Sequence, residues 1–207
     1  MPWQKSGLTL SLILISVAVS LVIGFGDNRE MMRLFTFTDF NVRGQQLFHH
    51  TFSAMLSTGQ WWRLVTPAFM HFSELHLVFN LLWIWVVGSR IEQLHGRWVL
   101  VSLFLSASIL SNLGQFFVSG PMFGGMSGVV YAVLGYSWFW DKQGYRPRFG
   151  LPQGLMGFML IWLVLGYLGV LQLIGMGAVA NTAHLVGLLV GLLFVLPVQL
   201  LKRSHSH

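Results

Sequence analysis

The sequence predicts an all-α membrane protein of six transmembrane helices with a long, partly membrane-embedded first loop. Three observations carry that expectation. The composition is 55% hydrophobic and only 9% charged, against roughly 45–50% and about 25% in soluble domains. Six apolar runs approach the ~20 residues that a helix needs to cross a bilayer. The basic residues between those runs alternate in abundance from one side to the other, as the positive-inside rule requires of a spanning chain. The 207 residues suit one domain, expected over 1–207 with no sizeable cytoplasmic domain ahead of the first span.

In chain order, the first run is Leu8–Phe25. It exceeds the 7–15 residues of a signal-peptide core and lacks a small-x-small cleavage site, so it reads as an uncleaved anchor. Residues 26–75 form the long loop. Its stretch "LFHHTFSAMLSTGQWWRLVTPAFMHF" is too apolar for a disordered linker and predicts short helices lying in the interface, with Trp61 and Trp62 at headgroup depth. The remaining runs are His76–Ile91, Trp98–Val118, Ser127–Trp140, Leu155–Ile174 and Ala183–Leu201. The second and fourth are short, which predicts helices that start below the membrane surface.

Lys5, Arg90, Arg97, Lys142, Arg146, Arg148, Lys202 and Arg203 fall on one side of this arrangement; only Arg29, Arg33, Arg43 and Arg63 fall on the other, all in the first loop. Both termini are therefore expected in the cytoplasm. The net charge of +6 follows from topology, so no nucleic-acid partner is expected. With no cysteine, disulfides, thiolate metal sites and a cysteine nucleophile are excluded.

Chemistry concentrates at "GGMSGVVYAVLGY", residues 124–136. A helix starting at Ser127 would set free backbone N–H groups and the positive end of the dipole beside the hydroxyl, which suits an oxyanion. The hydrolase elbow Gly-x-Ser-x-Gly is not present, because position 129 is valine. Tyr131, four residues on, shares the face of Ser127. Gly128, Ala132 and Gly135 form a strip of small residues, and the sixth run carries a matching strip, Ala183, Gly187 and Gly191. Such strips let two helices approach closely.

Contact between them would deliver His184 to Ser127. A neutral imidazole can take the serine proton and return it to a leaving amine. No Asp or Glu lies in the last three runs, so a Ser–His dyad is expected rather than a triad. Tyr131 is expected to pack its ring on His184. His76 and Asn80, four apart, are candidate oxyanion donors. His71 and His76 are five apart, about 140° around a helix, and His-x-x-Glu-Leu-His misses the zincin spacings, so no metal is expected. The adjacent His49 and His50 diverge and do not make a metal site.

These residues resemble the rhomboid intramembrane serine proteases, most closely their bacterial GlpG type. The resemblance rests on "WR" at 62–63, "HFSELHLVFN" at 71–80, "GGMSGVVYAVLGY" at 124–136 and "AHLVGLLVG" at 183–191, in the family's order within a six-span core. It implies a rhomboid-like bundle in a bacterial inner membrane, with the active site open to the periplasmic side. By resemblance Ser127 is the nucleophile, His184 the general base, and His76 and Asn80, with the Ser127 N–H, the oxyanion hole. Tyr131 stacks on the base, Gly125 and Gly128 are motif glycines, His71 is structural, and Trp62 and Arg63 support the site from the first loop. Water is expected through a polar cavity lined by His71, His76, Asn80 and Asn181. The implied activity is hydrolysis of transmembrane protein substrates arriving from the lipid bilayer, through an acyl-enzyme and without a cofactor. The alternative is a non-catalytic rhomboid-like protein that binds transmembrane clients, which the presence of both Ser127 and His184 disfavours.

Overall fold

The computed structural model describes residues 6–44, 46–144, 146, 148–173 and 179–204. Helix α1 (Gly7–Val22) has no side-chain cap of its own at Ser6. The cap comes instead from Glu92, more than eighty residues away. Its carboxylate accepts the Leu8 N–H at 2.9 Å, the Thr9 N–H at 2.8 Å and the Thr9 hydroxyl at 2.7 Å. A carboxylate at a helix N-terminus answers both the orphan donors and the dipole. Glu92 is buried, so removing it strands those donors. We expect Glu92→Leu to destabilise the protein by on the order of 2–4 kcal/mol, read as a lower thermal unfolding midpoint in detergent. An unchanged midpoint would mean that water replaces the cap.

The first loop holds α2 (Arg29–Met32), a hairpin of β1 (Phe40–Arg43) and β2 (Gln46–His49), α3 (Phe52–Ser57), and two 3₁₀ turns, Trp61–Leu64 and Thr66–Phe69. The hairpin is antiparallel, with Phe40 opposite His49 and Arg43 opposite Gln46. Gly44, at φ +63, opens its turn, where a two-residue hairpin loop requires positive φ. The strands correct the expectation of an all-α chain: the fold is mostly helical, with one small sheet in the loop. Three contacts fasten this loop. The Phe37 ring, fully buried, stacks on Phe116 at 4.7 Å and on Phe52 at 5.8 Å. Arg63, also buried, donates from Nη1 to the Arg33 carbonyl at 2.6 Å and the Thr36 carbonyl at 2.8 Å. Arg33 donates in turn to Asp39 from Nε at 3.0 Å and Nη2 at 3.2 Å. Burial alone would raise the Asp39 carboxyl; the Arg33 and Phe40 hydrogen bonds outweigh it and hold Asp39 below the ordinary carboxylate range.

Helix α4 (Glu74–Trp83) continues through a π-helical stretch, Ile84–Gly88, into α5 (Ser89–His95). The second run is therefore one helix of 22 residues, Glu74–His95, not the short span expected. Charged residues hid its ends, and Glu92 lies inside it because α1 supplies that carboxylate with donors. Then come α6 (Arg97–Ser119), α7 (Ser127–Lys142), α8 (Leu155–Tyr167), α9 (Val170–Leu173) and α10 (Asn181–Ser204). The fifth run is not continuous, since Gly169 at φ +74 separates α8 from α9. Lys5 and Ile174 lie outside the described residues.

Among the described residues, three helices are long and apolar enough to cross a membrane: Glu74–His95, Arg97–Ser119 and Asn181–Leu201. Helices α1 and α8 are apolar but shorter. Helix α7 is short for another reason. Eleven of its residues are buried, from Gly128 through Ser137 and at Trp140. It is the axis of the bundle, ringed by other helices, and a helix buried on all sides is not selected for lipid contact. Its closest neighbour is α10. A Cβ on Gly187 would strike the Gly128 carbonyl oxygen, and one on Gly191 would strike that of Ala132. The two small-residue strips thus meet backbone to backbone, as their spacing predicted.

Candidate active site

Ser127 is the first residue of α7, and the chain reaches it through a tight approach. Gly125 has φ +124, and a Cβ there would lie 2.6 Å from His76 Cε1 and 2.7 Å from Nε2. Only glycine satisfies both the backbone conformation and the ring packed on it. The Gly125 N–H donates to the Pro67 carbonyl at 3.0 Å. The Met126 N–H donates to His71 Nε2 at 3.3 Å. Because that nitrogen accepts, His71 carries its proton on Nδ1, which faces the Phe69 carbonyl at 3.2 Å and the Ser20 hydroxyl at 3.3 Å. His71 therefore ties the serine loop to the first loop and to α1. It is wholly buried with both nitrogens engaged, so it does not line an open cavity as expected.

On the other side, α10 presents His184 in its first turn. The Ala183 N–H donates to Gln115 Oε1 of α6 at 3.0 Å, which fixes the start of the helix. His184 Nε2 then lies 2.7 Å from Ser127 Oγ. Tyr131 stacks on the imidazole, with ring centroids 4.7 Å apart and planes 16° from parallel, and its hydroxyl donates to the Met159 carbonyl of α8 at 3.0 Å. His184 Nδ1 is buried and has no hydrogen-bond partner among the described residues. With Nε2 accepting from serine, Nδ1 carries the proton, and no carboxylate among the described residues receives it. The stacked Tyr131 ring, not a carboxylate, holds the plane of the imidazole.

His76 stands beside the serine loop, its ring 4.9 Å from that of His71 and edge-on to it. Asn80, one turn along α4, is buried and donates from Nδ2 to the His76 carbonyl at 2.8 Å. One amide hydrogen is thereby engaged and one is left. The Trp62–Arg63 pair divides: Trp62 is exposed, while Arg63 is the buried clamp of the loop. Burial pulls the Arg63 guanidinium below its ordinary value, and the nearby Asp39 carboxylate opposes that. Asn181 faces α8 rather than an open cavity, since its Oδ1 is buried against Gly166.

Sequence reasoning missed the contribution of α6. A small cavity beside Ser127 and Gly128 is lined by Ser108, Ser111 and Asn112. The hydroxyls of Ser108 and Ser111 are buried and lack protein partners, while Asn112 donates to the Leu64 carbonyl at 2.8 Å. The signal was present: Ser108, Ser111, Asn112 and Gln115 repeat at helical spacing inside an apolar run, a polar face that must turn inward.

The Rhomboid domain family model matches residues 58–199. The chain is 39% identical over 191 residues to the Rhomboid protease GlpG of Pectobacterium atrosepticum, which takes in 92% of this chain and 62% of that one. It is 44% identical over 134 residues to the Rhomboid protease GlpG of Yersinia pestis (strain Pestoides F), covering 65% of this chain and 47% of that one. The Yersinia pseudotuberculosis protein of the same name matches equally. The chain thus spans less than two thirds of the length of these relatives. The matched region runs from the first loop into α10 and contains Ser127, His184, Tyr131, His76 and Asn80: the chain is an integral membrane protein of the Rhomboid family.

Proposed function

We propose that this chain is an intramembrane serine endopeptidase, a hydrolase that cuts peptide bonds in or near transmembrane segments of other membrane proteins. The observation that carries the reading is the 2.7 Å contact between His184 Nε2 and Ser127 Oγ, beneath the stacked Tyr131 ring. Membership of a family whose curated relatives are named Rhomboid protease supports it.

Ser127 Oγ attacks the carbonyl carbon of the scissile bond while His184 Nε2 takes its proton. Negative charge moves to the carbonyl oxygen. The Ser127 N–H at the start of α7, His76 and the remaining Asn80 amide hydrogen serve that oxygen, in a setting where fixed dipoles act more strongly than in water. Collapse breaks the C–N bond, and Nε2 hands its proton to the leaving amine. The resulting ester on Ser127 is the acyl-enzyme. Water then attacks it with His184 again as base, releasing the carboxylic acid product and restoring the serine. The cavity with unpartnered Ser108 and Ser111 hydroxyls is a fitting store for that water, because a buried polar cavity favours hydration. No step calls for a metal or cofactor.

The same reading includes a single membrane domain over 1–207, six spans, both termini in the cytoplasm of a bacterial cell, and a site open to the periplasmic side of the inner membrane. Arg90, Arg97 and Lys142 near the ends of α5, α6 and α7 support that orientation. A transmembrane substrate must unwind locally to expose its carbonyl, since helical backbone is closed on itself in lipid.

A fluorophosphonate probe tests the site directly. Wild type in detergent is expected to label, and Ser127→Ala to show none. Equal labelling of Ser127→Ala would place the reactive serine elsewhere. Absent labelling of a folded wild type would favour the client-binding alternative.

A further inference from the structure

Helix α8 shows two faces. Phe158, Ile161, Val164 and Tyr167 are exposed, while Met156, Met159, Leu163 and Gly166 form one buried stripe at helical spacing. Two members of that stripe touch the surroundings of His184 independently. The Met159 carbonyl accepts the hydroxyl of Tyr131, the ring stacked on His184. Two turns further on, Gly166 receives the Asn181 carboxamide. A Cβ on Gly166 would collide with Asn181 Oδ1 and lie 3.0 Å from Cγ. Asn181 opens α10 and stands three residues before His184, one turn away on the same side. Its buried Oδ1 has no hydrogen-bond partner among the described residues, and it packs closely on Gly166.

From this geometry we propose that α8 is a positioning element of the general base, beside the Gln115 contact of α6. It holds His184 by two arms, through Met159 and Tyr131 and through Gly166 and Asn181. The proposal rests on the Ser127–His184 reading above. The need for such arms follows from the dyad itself. With no acceptor on Nδ1, the imidazole is oriented by its one bond to Ser127 and by packing, so whatever fixes Tyr131 and the first turn of α10 helps to fix the base.

The test uses a small fluorophosphonate, which needs no passage for a transmembrane helix, alongside cleavage of a transmembrane substrate in liposomes. Gly166→Ala is expected to slow labelling of Ser127 by about tenfold or more, since displacements near 1 Å at a catalytic group reach 10²-fold. It is expected to lower kcat with little change in KM. Adding Asn181→Ala removes the collision, and the double variant is expected to label faster than Gly166→Ala alone. Tyr131→Phe keeps the ring and deletes the bond to Met159; it too is expected to slow labelling, and it tests the second arm without added bulk. Gly157→Ala on the open face of α8, where a Cβ meets nothing within 4 Å, serves as the control and is expected to label as wild type.

If Gly166→Ala and Tyr131→Phe both label at the wild-type rate while cleavage changes, α8 merely bounds the substrate's path and the proposal is overturned, with the dyad intact. A double variant as slow as Gly166→Ala would remove the Asn181 arm. Labelling that persists in Ser127→Ala would instead overturn the dyad reading on which the proposal stands.

Discussion

Alanine at Ser127 or at His184 is expected to lower cleavage of a transmembrane substrate in liposomes by about 10⁴–10⁶, the range seen where nucleophile and base act as a unit. The two substitutions should not add. Without the nucleophile a base has no proton to take. Without the base, the hydroxyl 2.7 Å away is a poor nucleophile at neutral pH. The double variant is therefore expected to cleave no more slowly than the worse single variant. The residual activity of each single variant is expected to rest on oxyanion donors and substrate placement. His76→Ala, which on the proposed mechanism removes one such donor while sparing the dyad, is expected to be a gentler lesion of about 10²–10³. Additive losses from Ser127→Ala and His184→Ala would show two independent functions and dissolve the dyad.

Much of this site was legible in the sequence, for an identifiable reason. Inside apolar runs, a residue that is polar or unusually small has few neutral explanations. Ser127 and His184 stand out against valine and leucine, and the glycine and alanine spacing on the two runs specifies a close helix pair. Those patterns are local, and the structure places α7 against α10 accordingly. What stayed hidden depends on partners far apart in sequence. Glu92 looked like the end of a span until the start of α1, 83 to 84 positions away, supplied its donors. The serine and amide stripe of α6 had no stated purpose until Ala183, Leu64 and the serine loop were packed around it. By resemblance His71 was expected to be structural and, separately, to line a cavity; only its three contacts show what it ties together. The hairpin of the first loop was missed because its strands are four residues each, too short for alternation to register. Placements of individual residues follow the same division: those set by spacing were predictable, and those set by three-dimensional enclosure were not.

The second large effect is expected at Gly187. Its Cα faces the carbonyl oxygen of Gly128, and Gly128 is itself enclosed, with Ser111 Oγ 2.8 Å and the Ala183 carbonyl 3.2 Å from where its own Cβ would stand. Valine at 187 has no flexible side chain to displace; it meets backbone. Helix α10 must move outward, and overpacking of this kind costs about 1–3 kcal/mol or more. The catalytic consequence is larger than the loss of stability. Gly187 follows His184 by three residues and Gly128 follows Ser127 directly, so the wedge is driven one turn from the dyad. Separating the helices by even ~1 Å would stretch the 2.7 Å hydrogen bond past useful length. Gly187→Val is therefore expected to lose more than about 100-fold in fluorophosphonate labelling, together with a lowered thermal midpoint in detergent. Gly154→Ala, at a glycine with open space around it, is expected to change neither. The order of loss on warming is informative as well: labelling should fail before the helices unfold, because the contact that brings α7 to α10 is the one that brings the imidazole to the serine. If Gly187→Val labelled at the wild-type rate, the two helices would not be in backbone contact at this level, and the small-residue strips would need another explanation.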